Sequence, residues 1–334
     1  PLVAPSTGAM VLHKPVNPWL FNVRASYQRE AERAIEHLGS IGVTRIALVQ
    51  VDDSFGDDAM AGALAGLAKA KQQPVSHQKF PRDKPDMAAV VSKVLAVSPQ
   101  AVLFVGTGEA VAEGIKLVNE QKADVVFFTG DLVNDRSDEI VPWMDLFGQI
   151  TAPLGVFSTL GNHDYGDYVP WPSPQAKEKN LNDLIGHHKA MGWDILNDEH
   201  RVIEKDGEKI CIVGVQNWSA KARFPKYGNL KKALQGAPED TVKLLLSHDP
   251  SHWREQVVGK HSDIALTFAG HTHGMQFGID SKFYRWSPVK YVYKEWLDLY
   301  SEKNQHLYVN RGFGYLGYPG RMGIYPEITV VTLA

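Results

Sequence analysis

Apolar and polar positions along the chain fall into a repeated alternation. From Tyr27 to Leu38 apolar residues recur at helical spacing, a turn follows over Gly39 to Gly42, and Arg45 to Val51 is almost wholly apolar, as a strand covered on both faces is. Asp52, Asp53 and Ser54 then offer side chains that cap a helix start, and helical spacing runs to about Lys71. Further strands are predicted at 75–80 and 101–105, and helices at 85–96 and 109–121. Strands alternating with helices predict parallel βαβ units. After residue 121 each apolar strand runs into a polar cluster: 125–129 into GDLVND, 156–160 into GNHDYGD, 242–246 into SHD, and 264–269 into GHTHG. The carboxyl ends of strands are where α/β proteins assemble sites. The aromatic stretch from Tyr291 to Gly323 reads as surface loops, closed by a last strand at 327–333.

Composition narrows this picture. The 334 residues leave room for about two domains of roughly 150 residues. With 44% hydrophobic and 22% charged residues, and no apolar run of 18 or more, the chain is of the globular class and shows no membrane-spanning segment. Lys and Arg number 35 against 38 Asp and Glu, a net charge of −3, so no overall basic field attracts nucleic acid. The single cysteine, Cys211 in KICIVGV, excludes an internal disulfide and reads as a core thiol. The opening PLVAPSTG shows neither an initiator Met nor a basic and apolar leader, so no targeting signal is read from it. Residues 1–115 hold only one of the 8 Trp, one of the 12 Tyr and three of the 13 His, which points to two segments of different origin.

Asp131, Asn162, His163, His248, His271 and His273 all stand just beyond predicted strands. Such a mixture of oxygen and imidazole donors suits divalent Mn, Fe, Zn or a similar ion. His271 and His273 are two residues apart, so continued strand geometry would project both to one face. Taken singly, Asp131 and Asn162 also read as caps or turn residues and His248 as a loop histidine. Arg311 and Arg321 are candidate phosphate contacts because a guanidinium meets phosphate as a bidentate fork, with salt bridges the competing reading. Trp218, Tyr227, Trp286 and Tyr315 read as pocket lining or as packing.

GDLVND, GNHD and GHTH in this order resemble the calcineurin-like metallophosphoesterases over about residues 116–334. The resemblance implies a layered α/β/β/α sheet domain that hydrolyses a phosphomonoester or phosphodiester, in a small molecule or lipid, by metal-activated water. Carried over by motif, Asp131 bridges two ions; Asn162, His248 and His271 complete one site, and His273 belongs to the other. His163 is the acid near the leaving group, and Asp164 orients its imidazole. Members of that family also carry a DxH motif at the end of the first strand, where this chain has Gly106, Thr107 and Gly108. One tightly bound ion, a depleted second site and weakened hydrolysis are therefore expected. Glu109, Asp52 and Asp53 are the alternative donors to that second site, each of which also reads as a helix-start residue.

Residues 1–115 resemble one lobe of the periplasmic solute-binding proteins of branched-chain amino acid transporters, through APSTGAM, FNVRASY, RIALVQVDDSFG and AVLFVGTG. This implies a parallel βαβ lobe in which Phe55 and Thr107 face a ligand. The expected organisation is a solute-binding-protein-like lobe at 1–115 and a phosphoesterase domain at 116–334, sharing one continuous sheet across the seam. The alternative to an enzyme is an amino-acid-like small-molecule binding module or an inactive chimera. Both resemblances favour the periplasm or cell envelope.

Overall fold

The computed structural model describes all residues except 1, 4–7, 23, 24, 82–85, 107, 108, 282, 283, 317–320 and 334. The chain divides into two compact units, Pro1–Glu113 with Gly320–Gly323, and Gly114–Pro319 with Ile324–Ala334.

In the first unit, α1 (Tyr27–Ser40) begins where the Ser26 hydroxyl accepts the Arg29 N–H, and it buries Ala31, Ile35 and Leu38. Next come β1 (Ile46–Val51), buried throughout, and α2 (Ser54–Lys69), capped by the Asp53 carboxylate on the N–H groups of Phe55 and Gly56. β2 (Ser76–Phe80), α3 (Met87–Leu95) and β3 (Ala101–Val105) complete it. The sheet is parallel, in the order β2-β1-β3. Alternate side chains of β1 feed two cores. Ile46 and Leu48 meet Ile35, Met60 and Leu67 of α1 and α2, while Ala47 and Val49 meet Val90 and Val94 of α3. Gly62 permits the close approach of α2 to α1, since a Cβ there would lie 1.9 Å from the Gln28 carbonyl oxygen.

The helix α4 (Glu109–Glu120) leads to β4 (Val126–Phe128). β4, β5 (Val156–Ser158) and β6 (Asp194–Ile195) form a parallel sheet in that order, with α5 (Pro174–Ala190) between β5 and β6. A second sheet of the same unit contains β7 (Glu199–Lys205), β8 (Glu208–Gly214), β9 (Val242–Leu246), β10 (Ile264–Ala269), β11 (Asp298–Glu302) and β12 (Gln305–Val309). Its order is β11-β12-β10-β9-β8-β7; β8, β9, β10 and β12 run parallel, and the hairpin partners β7 and β11 antiparallel. Phe157 and Leu196 from the first sheet pack with Ile212 and Leu246 from the second, so the two sheets share a core. Cys211, Val213 and Leu245 alternate with those residues and meet Trp253 and Val257 in another core, where Cys211 is fully buried. The layered α/β architecture is the one the motifs imply.

Two expectations are corrected. In place of one continuous sheet the strands are paired separately within each unit: among the described residues β3 pairs with β1, and β4 pairs with β5, in the register that sets Phe128 beside Ser158. Residues 327–333 form no strand. Side chains fasten this segment instead, Tyr308 to Glu327 and Asn310 Nδ2 to Thr329 Oγ1 at 2.8 Å.

Candidate metal centre

Two turns in the second unit follow parallel strands and depend on unusual backbone. Gly130, after β4, has φ of 97° and approaches Gly161 so closely that a Cβ would lie 2.3 Å from the Gly161 nitrogen. Asp131, His271 and His273 have φ of 58°, 65° and 50°, in the left-handed region that side-chain-bearing residues seldom occupy. Such strain persists only where surrounding bonds over-determine it. Asp164 supplies those bonds for Asp131. Its buried carboxylate accepts the N–H groups of Gly161 (2.8 Å), Asp131 (2.9 Å), Leu132 (2.8 Å) and Val133 (3.3 Å). Burial and the neighbouring Asp131 charge push the Asp164 carboxyl up to about 7.

Four donors meet beyond these turns. The Nδ1–H of His248 donates to the Thr129 carbonyl at 2.7 Å, which directs Nε2 the other way. That nitrogen stands 3.0 Å from Asp131 Oδ2, 3.2 Å from Asn162 Oδ1 and 3.2 Å from His271 Nδ1. The Asn162 oxygen is aimed by its own amide, which donates to Tyr168 Oη at 2.8 Å. Ligand atoms of Asp131, His248 and His271 all lie within 4.8 Å of one another. Two oxygens and two imidazole nitrogens converging on one point are the donor set of a divalent ion, and only a proton or a cation between them relieves their mutual repulsion. Burial opposes charge on His248, but the Asp131 carboxylate and its hydrogen bond raise that imidazole to about 9. Burial likewise opposes charge on Asp131, yet His248, His163 and His271 hold its carboxyl well below the usual range.

Residues that the motifs did not flag hold His271. Its Nε2 lies 2.8 Å from Tyr293 Oη, and that hydroxyl donates to Asp249 Oδ2 at 2.9 Å. The tyrosine oxygen therefore accepts the Nε2–H and leaves Nδ1 bare toward His248. Asp249 directly follows His248 in SHD and was legible as a neighbour; Tyr293, 22 residues beyond His271, left no local signal.

The remaining sequence candidates divide. His163 is bound to the centre through its backbone, whose N–H donates to Asp131 Oδ1 at 2.9 Å. Its imidazole is oriented by the Asn134 carbonyl, 2.7 Å from Nδ1, and not by Asp164, whose oxygens are taken up by backbone N–H groups. His273 is not a member of the three-residue cluster. The nitrogens of Arg311 meet Asp280 (2.7 Å), Asp298 (2.8 Å) and Glu327 (2.8 Å), the salt-bridge arrangement that competes with phosphate contact. Arg321 is grouped with the first compact unit. Asp53 caps α2, which is its helix-start reading, whereas Asp52 pairs with Lys79 at 3.1 Å. Phe55 packs its ring edge-on to Tyr27 at 5.1 Å. Thr107 and Gly108 lie outside the described residues, as does the side chain of Glu109.

Comparison with known proteins agrees with this geometry. The profile of the Calcineurin-like phosphoesterase family matches residues 105–275, and that of the Periplasmic binding protein family matches residues 1–136. A Danio rerio transmembrane protein with metallophosphoesterase domain is 28% identical over 92% of this chain and 66% of its own. The metallophosphoesterase YkuE of Bacillus subtilis is 30% identical over 66% of this chain and 71% of its own. The UDP-2,3-diacylglucosamine pyrophosphatase LpxG of Chlamydia trachomatis is 26% identical over 59% of this chain and 70% of its own. The chain spans 44% to 66% of the length of the animal relatives it matches. Among the described residues no helix is long and apolar enough to cross a membrane. With the three motifs folded onto one cluster of donors and the family profile covering half of its length, the chain belongs to the calcineurin-like phosphoesterase family.

Proposed function

We propose that residues 116–334 hydrolyse a phosphoester with one divalent ion held by Asp131, Asn162, His248 and His271, and that residues 1–115 are a separate solute-binding-protein-like lobe. The observation that carries this reading is the single nitrogen, His248 Nε2, facing a carboxylate oxygen, an amide oxygen and a second imidazole nitrogen within 3.2 Å. An ion bound there neutralises phosphoryl oxygens and activates water for attack on phosphorus. His163 gives a proton from Nε2 to the departing alkoxide, its Nδ1–H being held by the Asn134 carbonyl. Asp164 keeps the Asp131 turn in its strained conformation through four backbone hydrogen bonds.

The second ion site is depleted. His273 would have needed the DxH pair, and Gly106 offers no side chain at that strand end. Hydrolysis is accordingly weak, and the substrate is a phosphate ester of a small molecule or lipid. The name of the Chlamydia trachomatis relative supports a lipid-linked substrate, and the periplasmic binding protein profile supports a periplasmic or envelope location. Elemental analysis of the reconstituted chain, paired with hydrolysis of an aryl phosphate, tests this. One ion per chain and slow turnover are expected; two tightly held ions overturn the depletion, and turnover that survives metal removal overturns the reading itself.

A further inference from the structure

Between β8 and the next short helix, residues 217–228 form a loop closed on itself. The Asn217 carbonyl accepts the N–H groups of Tyr227 (2.9 Å) and Gly228 (3.0 Å), and the Phe224 N–H donates to the Lys221 carbonyl at 3.1 Å. The base of the loop is fastened by carboxylates that are already committed. Asp198 accepts from Gln216 and Asn229, Asp167 from Tyr227 and Lys177, and Asp249 from Ser251 and Tyr293.

The tip carries Lys221, Arg223 and Lys226 within six residues, and among the described residues none of the three stands in an ion pair. Arg201, Arg254, Arg285 and Arg311 of the same unit are each held by carboxylates. The unpaired charge sits against the metal centre. Phe224 meets the His271 ring edge-on at 4.9 Å, and Lys221 lies 5.3 Å over the ring of Tyr293, the residue that holds His271. Arg223 is exposed, with its guanidinium 5.4 Å over the ring of Phe224, the residue that meets His271. A cationic tip with no internal counter-ion, placed beside a phosphoryl-binding centre, focuses negative charge there.

We propose that this loop is an anion-binding subsite in which Lys221 and Arg223 hold a second phosphoryl group of the substrate, next to the one that reacts. The proposal rests on the phosphoesterase reading above and narrows its substrate class to diphosphate esters or esters bearing a further phosphate. An Arg guanidinium takes two phosphate oxygens at once, and Lys adds a point charge. Binding energy gained on this remote group orients the reacting one.

Titration calorimetry on the manganese-loaded full chain tests it with two probes, inorganic phosphate and methylenediphosphonate. Lys221→Gln with Arg223→Gln is expected to weaken diphosphonate at least tenfold and phosphate less than threefold, with Arg223→Lys recovering part of the loss. Equal losses for both probes, or no loss for either, overturn the subsite and leave the phosphoesterase reading standing. A wild-type chain whose binding of both probes is indifferent to manganese overturns the two together. Arg223→Glu, an exposed change that leaves the loop's backbone bonds intact, gives the same test should the double variant fold poorly.

Discussion

The strand ends of the two units hold similar side chains and come to opposite results. Toward the ends of β1 and β2 in the first unit, Asp52 after β1, Asp57 in α2, and His77 and Lys79 on β2 surround the buried Gln50 of β1. Lys79 reaches Asp52 at 3.1 Å and Asp57 at 2.8 Å, and Gln50 donates to Asp57 at 2.7 Å while its oxygen meets His77 at 2.8 Å. Every charge there has an internal answer. Beyond β4, β9 and β10 the carboxylate of Asp131 has no lysine beside it and is answered by imidazoles alone. Acidic residues after parallel strands are thus not enough to define a metal centre; the decisive feature is convergence of donors without a resident cation. Burial does not define it either. His188 and His252 are as buried as His248, but each presents Nδ1 to a serine hydroxyl at 2.9 Å, Ser158 and Ser247 respectively.

Breaking the convergent side has the largest expected effect. His248→Ala removes the nitrogen on which the other donors close, and manganese affinity measured by equilibrium dialysis should fall more than about 100-fold, beyond the roughly 10- to 100-fold that supporting residues carry. A variant that binds manganese normally would place the ion elsewhere.

The buried histidine outside the centre sharpens the contrast through pH. Burial lowers His188 from 6.5 to about 3, so it stays neutral in the fold. Below pH 6.5 the unfolded chain takes up a proton that the fold refuses. Its contribution is therefore full above the unfolded value of 6.5 and is lost as pH falls toward 3, at about 1.4 kcal/mol per pH unit. Urea midpoints of wild type and His188→Gln, compared from pH 7 to 5 after subtraction of the common slope, should converge as pH falls; parallel curves would contradict the assignment.

Tyr293→Phe keeps the ring and deletes the bridge between His271 and Asp249. Manganese affinity should drop about tenfold, and the metal-free protein should lose the single His271 tautomer in its nitrogen-15 resonances. An unchanged tautomer would show that the ring is fixed by packing against Phe224 instead.

The smallest effect belongs to the first unit. Asp53→Ala removes the cap of α2 and should cost about 1 kcal/mol in chemical denaturation without altering metal binding. Altered metal binding would mean that the strand ends of the first unit do serve the centre.

Much of the fold was legible because periodicity is a local property. The elements β1, β3, β9 and β10 lie within a residue of the apolar runs that announce them, and Asp53 caps the helix it precedes. Asp131, Asn162, His248 and His271 were legible as chemistry placed at the ends of strands, and the missing DxH pair was legible as glycine. Three decisions belonged to the tertiary structure alone. Pairing is a choice among distant strands, and it set β3 on β1 and β4 on β5. Arg311 is ion-paired because Asp280, Asp298 and Glu327, dispersed in sequence, close around it. Asp164 turned from the His163 ring to the Asp131 turn because a strained left-handed backbone leaves N–H groups that only a buried carboxylate satisfies. The sequence determined which donors were available and on which strands; the pairing of those strands decided which donors come together, because convergence requires atoms a few ångströms apart and chain order carries no such distance.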